Sequence, residues 1–253
     1  MSDAPVSIGV AGSLGPSAIA RIAAAAEHAG LYALWVNDTP GGDALAALHA
    51  SAGATERLVL GTGVVPLDRY TPDEILTKAD GLPEDRLMLG IGSGQASGPV
   101  LAAVRNAVHT LRAGTSAGIV VGALGPKMRA LAIAESDGML LNWLTPGDAA
   151  VQAAEAHEVT QGAYVALYVR TALDDEAMPR LRAESERYAR FPKYAANFAR
   201  LGIDAGDTVL TPESTSLPDY RGAVDEVVLR AMTGSDDVGD YMRFVERAGR
   251  MAE

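Results

Sequence analysis

The sequence predicts one (β/α)8 TIM barrel spanning residues 1–253, with shortened loops. Three observations carry that expectation. Strand signals and helix signals alternate along the chain almost without interruption. Eight strand signals, each followed by helix, fit within 253 residues, close to the ~250 residues typical of that fold. No linker or low-complexity tract breaks the alternation, so the strand-plus-helix period is the barrel's own. An open doubly wound sheet is the competing architecture for the same pattern.

The elements follow from local signals. Val6–Val10 alternates branched residues with Ser7 and Gly9, a strand with small residues on one face. A helix starts at Ser17, keeps Ile19, Ile22, Ala26 and Ala29 at helical spacing, and stops at Gly30. Tyr32–Val36 reads as the second strand and Asp43–Ala52 as the second helix. Leu58–Gly61 and Leu87–Gly90 are the third and fourth strands, with a helix over Pro72–Asp80. Pro99–Ala113, Pro126–Glu135 and Pro146–Glu158 are helices, and Pro126 stands at an early helical position where its missing N–H costs nothing. Between them lie strands at Gly118–Ala123 and Gly138–Asn142, and a seventh at Ala163–Val169. Asp174–Arg187 and Lys193–Leu201 are helices, and Ala223–Leu229 is the last strand. The final helix, Asp237–Arg250, sets Tyr241, Phe244, Val245 and Ala248 on one face. Asp204–Arg221, rich in Pro, Gly, Ser and Thr, reads as an irregular surface excursion.

Composition narrows the function. Of all residues 48% are hydrophobic, enough for a large core, and only 5% are aromatic. The formal charge of −11 disfavours nucleic acid, whose phosphates need a basic surface. The absence of cysteine excludes disulfides, thiol catalysis and thiolate metal sites. No apolar run reaches the ~20 residues of a membrane span, and no signal peptide is visible at Met1–Pro5. Cytoplasm is the expected compartment.

In a barrel the site lies at the C-terminal ends of the strands. Those ends are Ala11-Gly12, Asn37-Asp38, Thr62-Gly63-Val64, Gly92-Ser93-Gly94, Leu124-Gly125-Pro126-Lys127, Asn142-Trp143, Arg170 and Arg230. The set has little acid–base equipment. Asp38 is its one candidate base, and His28, His49, His109 and His157 all fall in predicted helices. A hydrolytic triad or a histidine metal site is therefore disfavoured. Glycines, amides and one tryptophan suit a bound redox cofactor, which carries the reaction while the protein supplies shape and polarity. Glycines at the ends of two neighbouring strands let a flat ligand lie against bare backbone.

Each candidate has a plainer reading beside the functional one. Leu124–Met128 either holds a phosphate at a helix N-terminus, with Lys127 nearby, or is an ordinary turn into a helix. Asp38 either bonds a cofactor edge or shifts a proton, or it caps a turn before Thr39-Pro40-Gly41-Gly42. Trp143 stacks on a ring or fills the barrel mouth, and Arg69 meets substrate or forms a surface ion pair. Tyr188–Tyr194, aromatic and basic together, is a site wall or an interhelix contact. Gly90-Ile91-Gly92-Ser93-Gly94 does not have the spacing of a dinucleotide fingerprint, and no acidic residue follows at a strand end.

Taken in order, these ends and their approaches resemble the bacterial luciferase-like flavin-dependent oxidoreductases, including their deazaflavin (coenzyme F-420) branch. The carriers are Ala26–Gly30 leading to Leu34–Asp38, Leu60–Val64 with Arg69 and Pro72, Asp85–Gly92, Ala123–Met128, and Ala134–Trp143. The resemblance implies a barrel with FMN or F-420 across its C-terminal mouth. It implies a non-proline cis peptide at Gly63-Val64 behind the ring. It also implies that Gly92, Gly94, Leu124, Gly125, Pro126 and Lys127 surround the phosphate and ribityl chain, with Asp38 near the ring. Gly12, Asn37, Thr62, Ser93 and Met128 complete the expected cofactor bed, and Trp143 and Arg69 face substrate.

Two departures accompany the resemblance. Thr39 stands where some deazaflavin dehydrogenases carry histidine. The family's long insertion after the fourth strand is reduced here to Gln95-Ala96-Ser97-Gly98 between Gly94 and Pro99. That insertion normally covers the substrate and helps form a dimer, so a homodimer is a candidate assembly through an altered region. The expected activity is hydride exchange between F-420, favoured over FMN, and a small organic substrate. The rival readings are a flavin-binding carrier of the same fold without turnover, and a barrel isomerase or lyase acting on a phosphate ester.

Overall fold

The computed structural model describes residues 3–252. Eight parallel strands form its centre: β1 Val6–Ala11, β2 Ala33–Asn37, β3 Val59–Thr62, β4 Leu87–Gly92, β5 Gly118–Gly122, β6 Gly138–Asn142, β7 Tyr164–Ala172 and β8 Glu226–Met232. Each pairs with the next, and β8 pairs with both β7 and β1, so the sheet closes. Two-residue strands at Val65–Pro66 and Val209–Leu210 extend β4 and β7 at the barrel rim. The closed barrel is the predicted fold; the open doubly wound sheet is excluded.

The helices are α1 Pro16–His28, α2 Ala44–Ala52, α3 Pro72–Ala79, α4 Val100–Gly114, α5 Pro126–Glu135, α6 Pro146–Val159, α7 Met178–Ala189, α8 Pro192–Leu201, α9 Leu217–Arg221 and α10 Val238–Ala252. Their starts have local causes. Asp43 and Thr145 accept N–H groups of α2 and α6, and Thr71 forms a reciprocal box with Glu74 at α3. None is long and apolar enough to cross a membrane.

Most differences from expectation lie at C-terminal strand ends. β4, β7 and β8 run on to Gly92, Ala172 and Met232, because the ladder continues through glycine and arginine where the apolar pattern stops. The stretch expected to be irregular, Asp204–Arg221, holds α9 and a 3-10 turn at Ala205–Thr208. Tyr220 of α9 is buried and donates to the Leu144 carbonyl at 3.0 Å, which fixes that excursion to the end of β6.

Strand alternation separates two cores. Ile8, Val10, Leu34, Val36, Leu60, Leu89, Val121, Leu141, Leu167 and Leu229 face outward, against the helices. The inward face carries Ala33, Trp35, Val120, Leu140, Ala166, Tyr168 and Val228. Aromatic rings fill it, and glycines make their room. A Cβ on Gly61 would lie 2.5 Å from the Trp35 ring, and one on Gly9 would lie 2.4 Å from Tyr168 Cε1. No real Cβ approaches that closely, so these glycines answer to the rings opposite them.

The motif residues at the other end of the barrel brace the frame. Glu27 at the end of α1 accepts the N–H groups of Glu56, Arg57 and Leu58 at 2.7–3.2 Å, which holds its carboxylate below the usual range. Arg86 donates to the carbonyls of Ala52, Thr55 and Leu58 from the opposite side. Asp137 accepts the Ile119 N–H at 2.7 Å, and at Gly138 the Tyr164 backbone leaves no room for a Cβ.

The same end buries a carboxyl inside the barrel. Glu226 is fully buried; Trp35 Nε1 donates to its Oε1 at 2.7 Å and the Tyr164 hydroxyl donates to Oε2. Burial pushes the carboxyl above its ordinary 4.5. A carboxyl raised on folding contributes its full stability below the ordinary value and loses it as pH rises through the raised one. Glu226→Gln should therefore gain melting temperature relative to the parent as pH rises above the ordinary 4.5. Glu226→Ala, leaving a void and an orphaned indole N–H, should cost about 2–4 kcal/mol by chemical denaturation.

Candidate active site

Continuing each inward row to its C-terminal end brings Asn37 after Trp35, Asn142 after Leu140, Arg170 after Tyr168 and Arg230 after Val228 to one mouth. Gly63 and Gly92 complete that ring from β3 and β4. The Gly63-Val64 peptide is cis, as the resemblance implied. Asn37 Nδ2 donates to the Gly63 carbonyl, which ties β2 to that peptide. Asn37 Oδ1 is buried with no partner, as are Asn142 Oδ1 and the Tyr168 hydroxyl.

Asp38 is held from two sides. Its Oδ2 accepts the Ala44 N–H of α2 at 2.9 Å, and Arg69 Nη2 donates to its Oδ1 and its carbonyl. Burial pushes its carboxyl above the ordinary 3.8, against the pull of Ala44 and Arg69. Both carboxylate oxygens are thus engaged within the protein. Asp38 is a cap and an ion-pair partner here, and Arg69 is pinned to it.

The glycine bed is less bare than the sequence suggests. A Cβ on Gly63 would meet the Tyr168 hydroxyl at 2.3 Å, and one on Gly92 would meet Val64 at 2.6 Å. Gly94 adopts φ +57° beside the Asp68 carboxylate, which accepts the Gln95 N–H at 2.8 Å and so fixes the short loop after β4. Gly12 lies against the Asn37 carbonyl, and Ser93 makes only a long 3.5 Å contact to the Gly94 carbonyl. Thr62 lies on the opposite side of its strand from the mouth. Its hydroxyl bonds the Gly90 carbonyl and N–H, both at 2.9 Å, and so serves the β3–β4 ladder.

The turn into α5 is open. Nothing lies within 4 Å of a Cβ built on Gly125. Pro126 has no N–H, and Met128 and Arg129 donate back to the Gly125 carbonyl at 3.1 Å. That leaves the Lys127 N–H and its exposed ammonium as donors beside open backbone. Met128 packs on the outer core, and Leu124 is half-buried. No group of three metal-ligating side chains exists among the described residues.

Trp143 is 1% exposed and has φ +54°, rare for a residue with a Cβ. Arg170 lies over its ring at 4.1 Å and over Tyr188 at 4.9 Å. Phe198 closes the group at 6.0 Å from Trp143, and Tyr194 packs on Tyr188 at 4.8 Å. The Tyr188–Tyr194 segment is therefore an interhelix contact of α7 and α8 and a wall of the mouth at once. Sequence reading missed Tyr168 and Glu184, whose carboxylate takes Arg170 at 3.2 Å. The period-2 row leading to Arg170 carries the signal for Tyr168; Glu184 is helical and had none.

Because Arg69 is one-third exposed while Asp38 is 2% exposed, removing the arginine strands a buried carboxylate. Arg69→Met should cost about 1–3 kcal/mol at pH 7, discounted for solvent screening at the arginine. Loss of Arg69 raises Asp38 further, so the penalty should shrink as pH falls toward the ordinary 3.8 and the carboxyl protonates. Denaturation of the variant and of Asp38→Asn across that range checks this.

Residues 4–99 match the sequence model of the luciferase-like monooxygenases. That match ends at Pro99, immediately before α4. No curated protein sequence matches the chain. Solved structures match throughout. A coenzyme F420-dependent tetrahydromethanopterin reductase from Methanopyrus kandleri is 16% identical, with 98% of each chain covered and a TM-score of 0.74. An F420-dependent secondary alcohol dehydrogenase, crystallised with an F420-acetone adduct, is 16% identical, with 100% of each chain covered and a TM-score of 0.75. An EDTA monooxygenase from Chelativorans sp. BNC1 is 9% identical over 99% of this chain and 93% of its own, with a TM-score of 0.71. The chain's likeness to the luciferase-like monooxygenases thus rests on sequence over residues 4–99 and on the barrel over its whole length.

Proposed function

We propose that this protein is an oxidoreductase in which a flavin-type coenzyme, F-420 in preference to FMN, exchanges hydride with a small organic substrate at the barrel mouth. The observation that carries the reading is the set of buried polar atoms there without protein partners, Asn37 Oδ1, Asn142 Oδ1 and the Tyr168 hydroxyl, beside the open turn at Gly125. The match over residues 4–99 and the F420-dependent and monooxygenase neighbours support it. These residues fit such a group. Two amide oxygens accept N–H groups of a ring, and the Lys127 N–H and ammonium suit a phosphate at a helix N-terminus.

When bound, the coenzyme supplies the hydride chemistry. The chain's part is binding, orientation and water exclusion. Gly63-Val64, backed by Tyr168, forms the floor. Trp143, with Phe198 behind it, seals the β6 side against solvent. Asp38 holds Arg69 and the N-terminus of α2 in place. A proton on the Tyr168 hydroxyl stays there, since burial pushes that group above the ordinary tyrosine value, and it can be donated in a hydrogen bond toward the mouth.

Quenching of coenzyme fluorescence by the purified protein tests the reading. Saturable binding of F-420 or FMN is expected, followed by turnover with a substrate of the matching branch; binding of neither would sink it, and binding without turnover would leave a carrier. Lys127→Ala should weaken FMN about tenfold while leaving riboflavin, which lacks the phosphate, unchanged.

A further inference from the structure

A cleft of about 330 Å³ opens between α7 and the C-terminal ends of β1 and β8. Arg180, Arg187 and Arg230 line it together with Glu184 and Asp236. Its ion pairs do not balance. Asp236 takes Arg180 at 2.6 Å, and Glu184 takes Arg170 at 3.2 Å and Arg187 at 3.4 Å. Arg230 has no carboxylate partner among the described residues; its Nη1 donates to the Ala231 carbonyl at 2.8 Å. Arg170, beside Arg230 in the β7–β8 register, is 5% exposed and leaves Nη1 buried with no partner. Four guanidiniums thus share two carboxylates, an excess of two positive charges in a chain whose formal charge is −11.

Of the four, Arg170 alone is held out of water; the Arg180 and Arg187 side chains are 43% and 61% exposed, so the cleft presents its excess charge to solvent, where an anion can meet it. Guanidinium forks match carboxylate geometry better than any other side chain. Apart from Thr233, the remaining lining is aliphatic and aromatic, from Ala11, Ala183, Ala231, Met232 and Tyr241. The volume lies at the small end of ligand pockets, roughly 300–1,000 Å³. We infer that this cleft is the substrate subsite for a small organic acid, its carboxylate held by Arg230 and Arg187 and its short apolar body lying along Ala11 and Met232. The word substrate rests on the oxidoreductase reading; the anion site itself does not.

Butanoate, titrated calorimetrically into the whole protein, is the probe, with inorganic sulfate beside it. Saturable butanoate binding is expected. It should weaken about tenfold or more in Arg230→Gln and in Arg187→Gln. Arg187 lies on the exposed side of the cleft, so its variant reports on binding even where Arg230→Gln fails to fold. Absence of saturable binding, or affinity unchanged in both folded variants, overturns the site. FMN and riboflavin are titrated into the same variants. If Arg230→Gln weakens FMN but not riboflavin, the cleft takes the coenzyme's phosphate and the substrate assignment falls. If butanoate binds and neither FMN nor F-420 does, the anion site stands and the oxidoreductase reading fails.

Discussion

The structure depends on a size match inside the barrel. Eight strands enclose a space that side chains must fill, and most barrels fill it with branched aliphatics in layers. Here Val120, Leu140 and Val228 share the inner space with Trp35, Tyr164 and Tyr168, and the Trp35 and Tyr168 rings are set against Gly9, Gly61 and Gly63. Large rings on some strands and bare backbone on others give the same packed volume with fewer contributors. Polar handles come with these rings. Trp35 and Tyr164 direct theirs at Glu226, and Tyr168 carries its hydroxyl to Gly63.

That arrangement divides the barrel into two unlike ends. One end is largely satisfied internally: Glu226 is bonded by two rings, Glu27 and Arg86 grip the approach to β3, and Asp137 ties α5 to β5, with the Ser7 hydroxyl left unpartnered there. The other end keeps unpartnered polar atoms on Asn37, Asn142, Tyr168 and Arg170. Buried polar groups in folded proteins nearly always find partners. Their concentration at the mouth singles out that end as the chemical one, in keeping with where barrels place their sites.

Much of the fold was legible because the outward face of each strand and the inward face of each helix are plainly apolar. Gly138–Asn142 and Pro126–Glu135 match the structure residue for residue. The mouth was harder. Gly63 and Gly92 read as room for a ligand, yet Tyr168 and Val64 occupy the space above them; which ring meets which glycine is a matter of register between distant strands. Asp38 read as a base or a cap, and only the position of Arg69, 31 residues away, engages its second oxygen. The arginine excess has no local signature at all, since Arg170, Arg187 and Arg230 gather only when β7, α7 and β8 are assembled.

The pairing of rings with glycines also constrains how the sequence can drift. A methyl group cannot appear at Gly61 while Trp35 stays as it is, whereas a smaller residue at position 35 leaves only a void, which a core tolerates at a cost. The two changes are therefore not interchangeable in order: the ring must shrink before the glycine grows. Any lineage that abandons this interior passes through a looser, less stable barrel, and return must restore the glycine before the ring. The filled interior of the barrel is in that sense an ordered path as well as a packing solution.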